Sequence, residues 1–330
     1  MAAGACLVVG AFSGAGAALA DPPTNTYGTL VGVGSDTTQN VVNAIANGSS
    51  GLLASYDAVP LNTTIKTRAS GAACATIARP KSSGSGEAAL FNDTTAATGC
   101  IDFSRSSKAP NTFGFSHGET GIPFAIDAVS YGIRSDSAIS KSLTLADLTD
   151  IYNCVYPTSV YQPLLPDNGS GTRSFFLSKL GFTDSATFTS GTGHTCIKDF
   201  NSTGQHIEEN TGTYLTDPTY VIPFSVAQYL GQSNGVASNT LGKTVLGRVG
   251  GTGSFALNTG SSTTREVYNI VPTAKLPGGA TPDANIGTAF VGTNGPGLSN
   301  NSYVCSQTAT IQQFGFALDP NCGAVNQPLS

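Results

Sequence analysis

The sequence predicts an α/β fold. Runs rich in β-formers alternate with runs at helical spacing along most of the chain. Two of these alternations are strand–turn–helix units with Gly-rich turns, and 39% hydrophobic residues are enough to build substantial cores.

In chain order, Thr29 to Val33 are β-formers, and Ser35 and Asp36 follow as good N-cap residues. Val41, Val42 and Ile45 then recur at helical spacing, closed by Asn47-Gly48. "TGIPFAIDAVSYGI" (120–133) is strand-like, and "TLADLTDIYN" (144–153) is helix-forming. Val160 to Leu165 reads as a strand, "DNGSG" as a turn, and Thr172 to Leu180 as a helix with Phe176, Leu177 and Leu180 inward. "TYVIPFSVAQYLG" (219–231) is a strand passing into a further element, "REVYNIVPTAKL" (265–276) is a strand, and "TATIQQFGFAL" (308–318) is helix-forming. "GRVGGTGSFALNTGSSTT" (247–264) has loop composition.

At 330 residues the chain can form one large domain or two of ordinary size. A net charge of −5 without long runs of either sign argues against a nucleic-acid partner, because phosphate backbones are gripped by clustered Lys and Arg. The apolar segment "ACLVVGAFSGAGAALA", with Ala18-Leu19-Ala20 before Asp21, has the form of a signal-peptidase site, although no basic stretch precedes it. Residues 1–20 are therefore expected to be a signal peptide. Cys6 lacks a preceding apolar run, which disfavours a lipid anchor. The expectation is a secreted or cell-envelope protein.

Six cysteines remain beyond the leader: Cys74, Cys100, Cys154, Cys196, Cys305 and Cys322. An even number in an oxidising compartment points to disulfides, with 15 connectivities open. Nearest-neighbour pairing is the expectation, each bridge worth roughly 3–4 kcal/mol in the loop-entropy model. A metal site is not expected: no C-x-x-C or H-x-x-x-H spacing occurs, and His117, His194 and His206 are scattered. No cofactor is expected either.

The chemistry concentrates in turns. The first turn of a helix presents unpaired N–H groups and a partial positive charge, and Ser and Thr hydroxyls add donors without net charge. For any one such turn, ordinary capping alone is the better account. Arg173 could offer a forked pair of donors to an oxyanion. "GCIDFSRSSKAPN" (99–111) sets Arg105 and Lys108 among Ser104, Ser106 and Ser107, and "PKSSGSGEAAL" (80–90) is another Ser/Gly turn opening onto a helix. "GFSHG" (114–118) matches the nucleophile-elbow pattern around Ser116, but a loop precedes it and a strand follows, which opposes a serine hydrolase. No enzyme is expected.

Taken together, "GVGSDT" (32–37), "SGSGE" (83–87), "DFSRSS" (102–107), "LTLADLTDIYNCVY" (143–156) and "DNGSGTR" (167–173) resemble the phosphate-binding solute receptors of ABC transporters. The resemblance implies a two-lobed type 2 periplasmic-binding-protein fold with a ligand cleft between lobes. Lobe one would comprise 26–124 and 268–330, and lobe two 125–267. The family's anion ligands fall on Asp36, Thr37, Ser85, Ser107, Ser170, Gly171 and Thr172, with Ser35, Ser106, Lys108 and Arg173 beside them. Inorganic phosphate or a similar oxyanion is the implied ligand, an ABC permease the implied partner, and a monomer the implied state. A secreted surface or matrix protein that keeps the fold without transport is the alternative.

Three departures stand out. Pro166 occupies the place where the best-studied members carry an Arg, although other members place it as Arg173 is placed. Ser107 replaces a carboxylate found in some members. Asp36 stands where a hydroxyl is usual. It could accept a proton from phosphate and so exclude sulfate, or simply cap its helix.

Overall fold

The computed structural model describes residues 21–109, 118–190, 193–250 and 263–325. The expected leader (1–20), Ser116 with His117, and most of the Gly-rich loop lie outside these. The principal elements in chain order are β1 (Leu30–Gly34), α1 (Gln39–Asn47), β2 (Leu53–Ser55), α2 (Ser83–Ala96), β3 (Phe103–Ser106) and β4 (Glu119–Arg134). There follow α3 (Leu145–Tyr152), β5 (Gln162–Pro163), α4 (Gly171–Lys179), β6 (Tyr220–Ser225) and α5 (Val226–Ser233). β7 (Thr244–Leu246), β8 (Thr264–Pro272), α6 (Thr308–Gln313) and β9 (Ala317–Leu318) complete the set.

Nine strands form one connected ladder in the order β2-β1-β3-β8-β4-β6-β5, with β7 and β9 also paired to β4. β4 is the strand that unites it. Its residues 119–128 pair antiparallel with β8, and its residues 129–132 pair antiparallel with β6. Where β4 changes partners, the hydrophobic core also changes. Around the first half, α1 and the C-terminal segment cover one face through Val41, Ile45, Phe103, Phe290 and Phe316, while α2 covers the other through Leu90 against Val31, Val33 and Ile270. Around the second half, α3 and α4 pack Leu148, Tyr152, Phe176 and Leu177 against Val129, Tyr131 and Val221. Two cores on one shared strand are what a two-lobed α/β chain requires.

The helices start where the sequence supplies donors and acceptors for their free ends. Ser82 caps α2 and Thr144 caps α3 in reciprocal boxes with Ser85 and Asp147. Ser170 caps α4, accepting from the backbone N–H of Arg173, and Ser225 caps α5, accepting from that of Gln228. The first helix departs from expectation. Its N-cap is Thr38, without a side-chain cap bond, so neither Ser35 nor Asp36 caps it.

The expected disulfides form: Cys74–Cys100, Cys154–Cys196 and Cys305–Cys322. Among the described residues no helix is long and apolar enough to cross a membrane.

One buried pair of like charges sits where α2 meets the start of β4. Glu87 is 0% and Glu119 1% exposed, and their carboxyls face each other closely enough to share a proton. Burial first, and for Glu119 the charge of Glu87, hold both above the ordinary value of 4.5. The folded chain therefore retains protons that the unfolded chain releases above that value. Stability from this pair is complete at low pH and is lost as pH rises toward and through neutrality. Melting temperature is expected to fall between pH 5 and pH 8, and Glu119→Gln should flatten that fall. A variant with an equally steep fall by differential scanning calorimetry would show that the pair does not shape the profile.

Candidate functional site

The Ser/Gly turns come together at the line where the two cores face each other. β1 and β3 are parallel neighbours, so the turns after them emerge side by side. Arg105 holds this edge from behind: its guanidinium donates to Ser55 Oγ (2.7 Å), Gly34 O (3.1 Å) and Ser35 O (3.3 Å). It braces the carbonyls of the first turn instead of facing the cleft.

In front, hydroxyls cluster. Ser35 Oγ and Ser83 Oγ each lie 3.3 Å from Ser107 Oγ, and the Ser107 N–H donates to Ser83 Oγ at 3.0 Å. From the opposite core, Thr172 Oγ1 meets Thr37 Oγ1 at 3.4 Å. Ser35, Thr37, Thr172 and Ser107 are almost wholly buried. The two sides touch closely: the Gly84 N–H donates to Gly169 O at 3.2 Å, and Lys81 pairs with Asp167. Gly171 makes this approach possible. A Cβ there would lie 2.5 Å from Ser107 Oγ and 2.7 Å from the Lys108 nitrogen.

Several expected residues fall elsewhere. Ser85 turns back on its own helix start, accepting from the N–H groups of Lys81 and Ser82 at 2.9 Å each, and Ser83 takes the place facing Ser107. Ser106 closes a local turn with the backbone of Lys108. Lys108 itself is half-buried at the rim, its ammonium pKa lowered by burial. Arg173, expected as a ligand, is bonded away from the hydroxyl cluster. Its Nε donates to Asp184 Oδ1 (2.8 Å), Nη1 to Pro166 O (3.1 Å) and Nη2 to Ser185 O (2.9 Å). Every one of those partners belongs to its own core.

The cation in the cleft is Arg265, at the second residue of β8. Its Nη2 donates to Thr172 Oγ1 (2.7 Å) and its Nη1 to Ser107 O (3.0 Å). Nε and Nη2 also donate to Asp127 Oδ2, at 3.2 and 2.8 Å. Asp127 is its register partner on β4 and additionally accepts from Ser225 Oγ and the Ala227 N–H at the start of α5. The sequence reading treated 265–276 only as a strand. The available signal was a single Arg in an apolar strand and a single Asp in the other crossing strand.

Carboxylates are the second feature missed. Glu209 Oε1 accepts from Thr37 Oγ1 (3.2 Å) and Ser170 Oγ (3.0 Å), and with Glu208 it converges on Asp36, their oxygens within 4.8 Å of one another. Asp36 is 4% exposed. Burial, then the charge of Glu209, holds its carboxyl well above the usual range, while the backbone N–H groups of Thr37 and Asp36 and the charge of Arg265 act the other way. Glu208 is raised by burial and by the charges of Asp36, Glu209 and Asp167. Glu208 and Glu209 lie in a loop with no motif, so spacing could not point to them.

The chain resembles solved structures in three dimensions. One is described as a phosphate ABC transporter substrate-binding protein with bound phosphate from Clostridium perfringens: 13% identity, TM-score 0.52, covering 88% of this chain and 99% of that one. Another is an ABC-type phosphate transport receptor from Vibrio cholerae: 12% identity, TM-score 0.51, covering 88% and 100%. No protein-family model and no curated protein matches the sequence. At such low identity the likeness establishes architecture, and the architecture is the two-lobed α/β fold of the type 2 periplasmic binding proteins.

Proposed function

We propose that the protein captures a small oxyanion, with inorganic phosphate first among candidates, in the cleft between its lobes. The observation that carries this reading is the meeting of Arg265 with both cores, at the Thr172 hydroxyl on one side and the Ser107 carbonyl on the other. Ser35, Ser83, Ser107 and Thr172 would supply donors, Thr37 and Ser170 would do so on releasing Glu209 Oε1, and Arg265 would supply charge. Burial of these groups strengthens every such bond by lowering the local dielectric. The moving bodies of the proposal are residues 26–124 with 268–330, and 125–267. Opening would part Gly84 from Gly169 and Gly171 from Ser107, and closure would restore them. Export and delivery to an ABC permease belong to the same reading, as does a monomeric state.

The carboxylates supply selectivity in this proposal. An anion without a proton would face the Glu209 carboxylate as a like charge, whereas phosphate carries a proton to share. Asp36 does not cap α1 and lies beside Glu209, which supports a place for it in the cleft.

The direct test is calorimetry with phosphate, arsenate, sulfate and small sugars, run both with a chelator and with millimolar Ca²⁺, Mg²⁺ or Mn²⁺. Phosphate and arsenate are expected to bind and sugars to give no heat; no heat from any oxyanion would overturn the proposal. Arg265→Lys keeps the charge but loses the fork, and should weaken phosphate binding by about tenfold or more, on the order of 1.5–3 kcal/mol for a charged partner. Arg173→Ala should instead cost about 3 kcal/mol of stability, by stranding Asp184, and leave affinity in the folded protein nearly unchanged. The opposite assignment of the two effects would return Arg173 to the site.

Closure has its own test. Gly171→Ala places a methyl against Ser107 Oγ and the Lys108 nitrogen, so phosphate affinity should drop while the melting temperature of the anion-free protein changes little. Small-angle scattering with phosphate should then show no compaction. Wild-type affinity in that variant would mean that binding does not need this contact.

A further inference from the structure

Charge compensation in the cleft is incomplete. Asp36 comes from the turn after β1, and Glu208 and Glu209 come from the loop that follows Asp199 in the other core. Backbone bonds hold that loop against the α4 turn: the Ile207 N–H donates to Asp199 O (3.1 Å), and the Asp167 N–H donates to Ile207 O (3.1 Å). Carboxylate oxygens of the three acids lie within 4.8 Å of one another. Asp36 and Glu209 are 4% and 0% exposed, yet Asp36 Oδ2 and Glu209 Oε2 have no hydrogen-bond partner, and neither does Glu208 Oε1.

Neighbouring cations do not answer this need. Arg265 is bonded to Asp127, Thr172 and Ser107, and Lys81 is paired with Asp167. The hydroxyls of Thr37 and Ser170 orient Glu209 by bonding Oε1, which leaves Oε2 for another partner. This is how outer groups fix a ligating carboxylate. Buried carboxylate oxygens without donors, converging from two sides and lacking a sulfur or imidazole partner, suit a hard divalent cation of the Ca²⁺, Mg²⁺ or Mn²⁺ type.

We infer that Asp36, Glu208 and Glu209 form a divalent-cation site inside the cleft, and that the oxyanion is taken up beside that cation. The sequence reading weighed only Cys and His as metal ligands, and this site uses neither. Because its ligands come from both cores, cation binding favours the closed arrangement. The second clause of the inference depends on the oxyanion proposal; the first does not.

The experiment uses the full mature chain, freed of metal and phosphate, titrated by calorimetry with CaCl₂, MgCl₂ and MnCl₂ separately. One cation per chain is expected for at least one of them. Glu209→Gln and Glu208→Gln should each weaken it tenfold or more, and each variant should lose the rise in melting temperature that the cation gives the wild type. Glu208 is only half-buried, so its variant keeps the test valid if Glu209→Gln folds poorly. Absence of binding at millimolar cation, or unchanged binding in a folded variant, overturns the site. Phosphate is then titrated with chelator and with the cation present. Tighter phosphate binding with the cation supports joint uptake, and equal affinity overturns it. If phosphate gives no heat in either condition while the cation still binds, the oxyanion proposal fails and the cation site stands.

Discussion

A buried ion pair between two crossing strands organises this molecule. Asp127 and Arg265 face each other in register on β4 and β8, where the sheet passes from one core to the other. Burying either charge alone would cost several kcal/mol, so each is held by the other and by further bonds. Asp127 fixes the start of α5, and Arg265 reaches a hydroxyl of α4 and a carbonyl after β3. The same pair thus sets the strand register, anchors a helix and supplies the cleft with its cation. Removing it would leave the turns without a common reference.

The cleft balances donors against acceptors. Hydroxyls and a guanidinium favour an anion, whereas three carboxylates oppose one unless protons or a metal ion intervene. This tension accompanies the burial of Asp36 and Glu208, whose carboxyls are held above their ordinary range, and the bonding of Arg265 to both cores. A site of donors alone would bind any small anion of suitable size. A site that also carries acceptors must discriminate by the charge its ligand brings.

Much of the fold was readable because its long elements have strong periodicity. The strand at 120–133, the helix at 144–153 and the helix opening at Gly171 agree with the observed elements to within a residue or two. The capping of α1 was misread because Ser35 and Asp36 have cap chemistry, and only the tertiary position of Glu209 shows that Asp36 lies inside the cleft. Ser83 was missed for Ser85 because two serines in one helix turn differ only in the direction they face. The partners of Arg173 were hidden for a related reason: sequence reveals that a charge opens a helix, but not that Asp184 waits behind it. Glu208 and Glu209 gave no local signal, since their role arises from a loop laid across the turn at Asp167.

The three disulfides have a mechanical meaning. Cys74–Cys100 and Cys305–Cys322 staple the first core, and Cys154–Cys196 staples the second. None ties one core to the other. Covalent reinforcement is therefore confined to parts that must stay rigid, while the seam between them relies on contacts that can break and re-form thermally. Such a body can be rigid within each half without its jaws being welded shut.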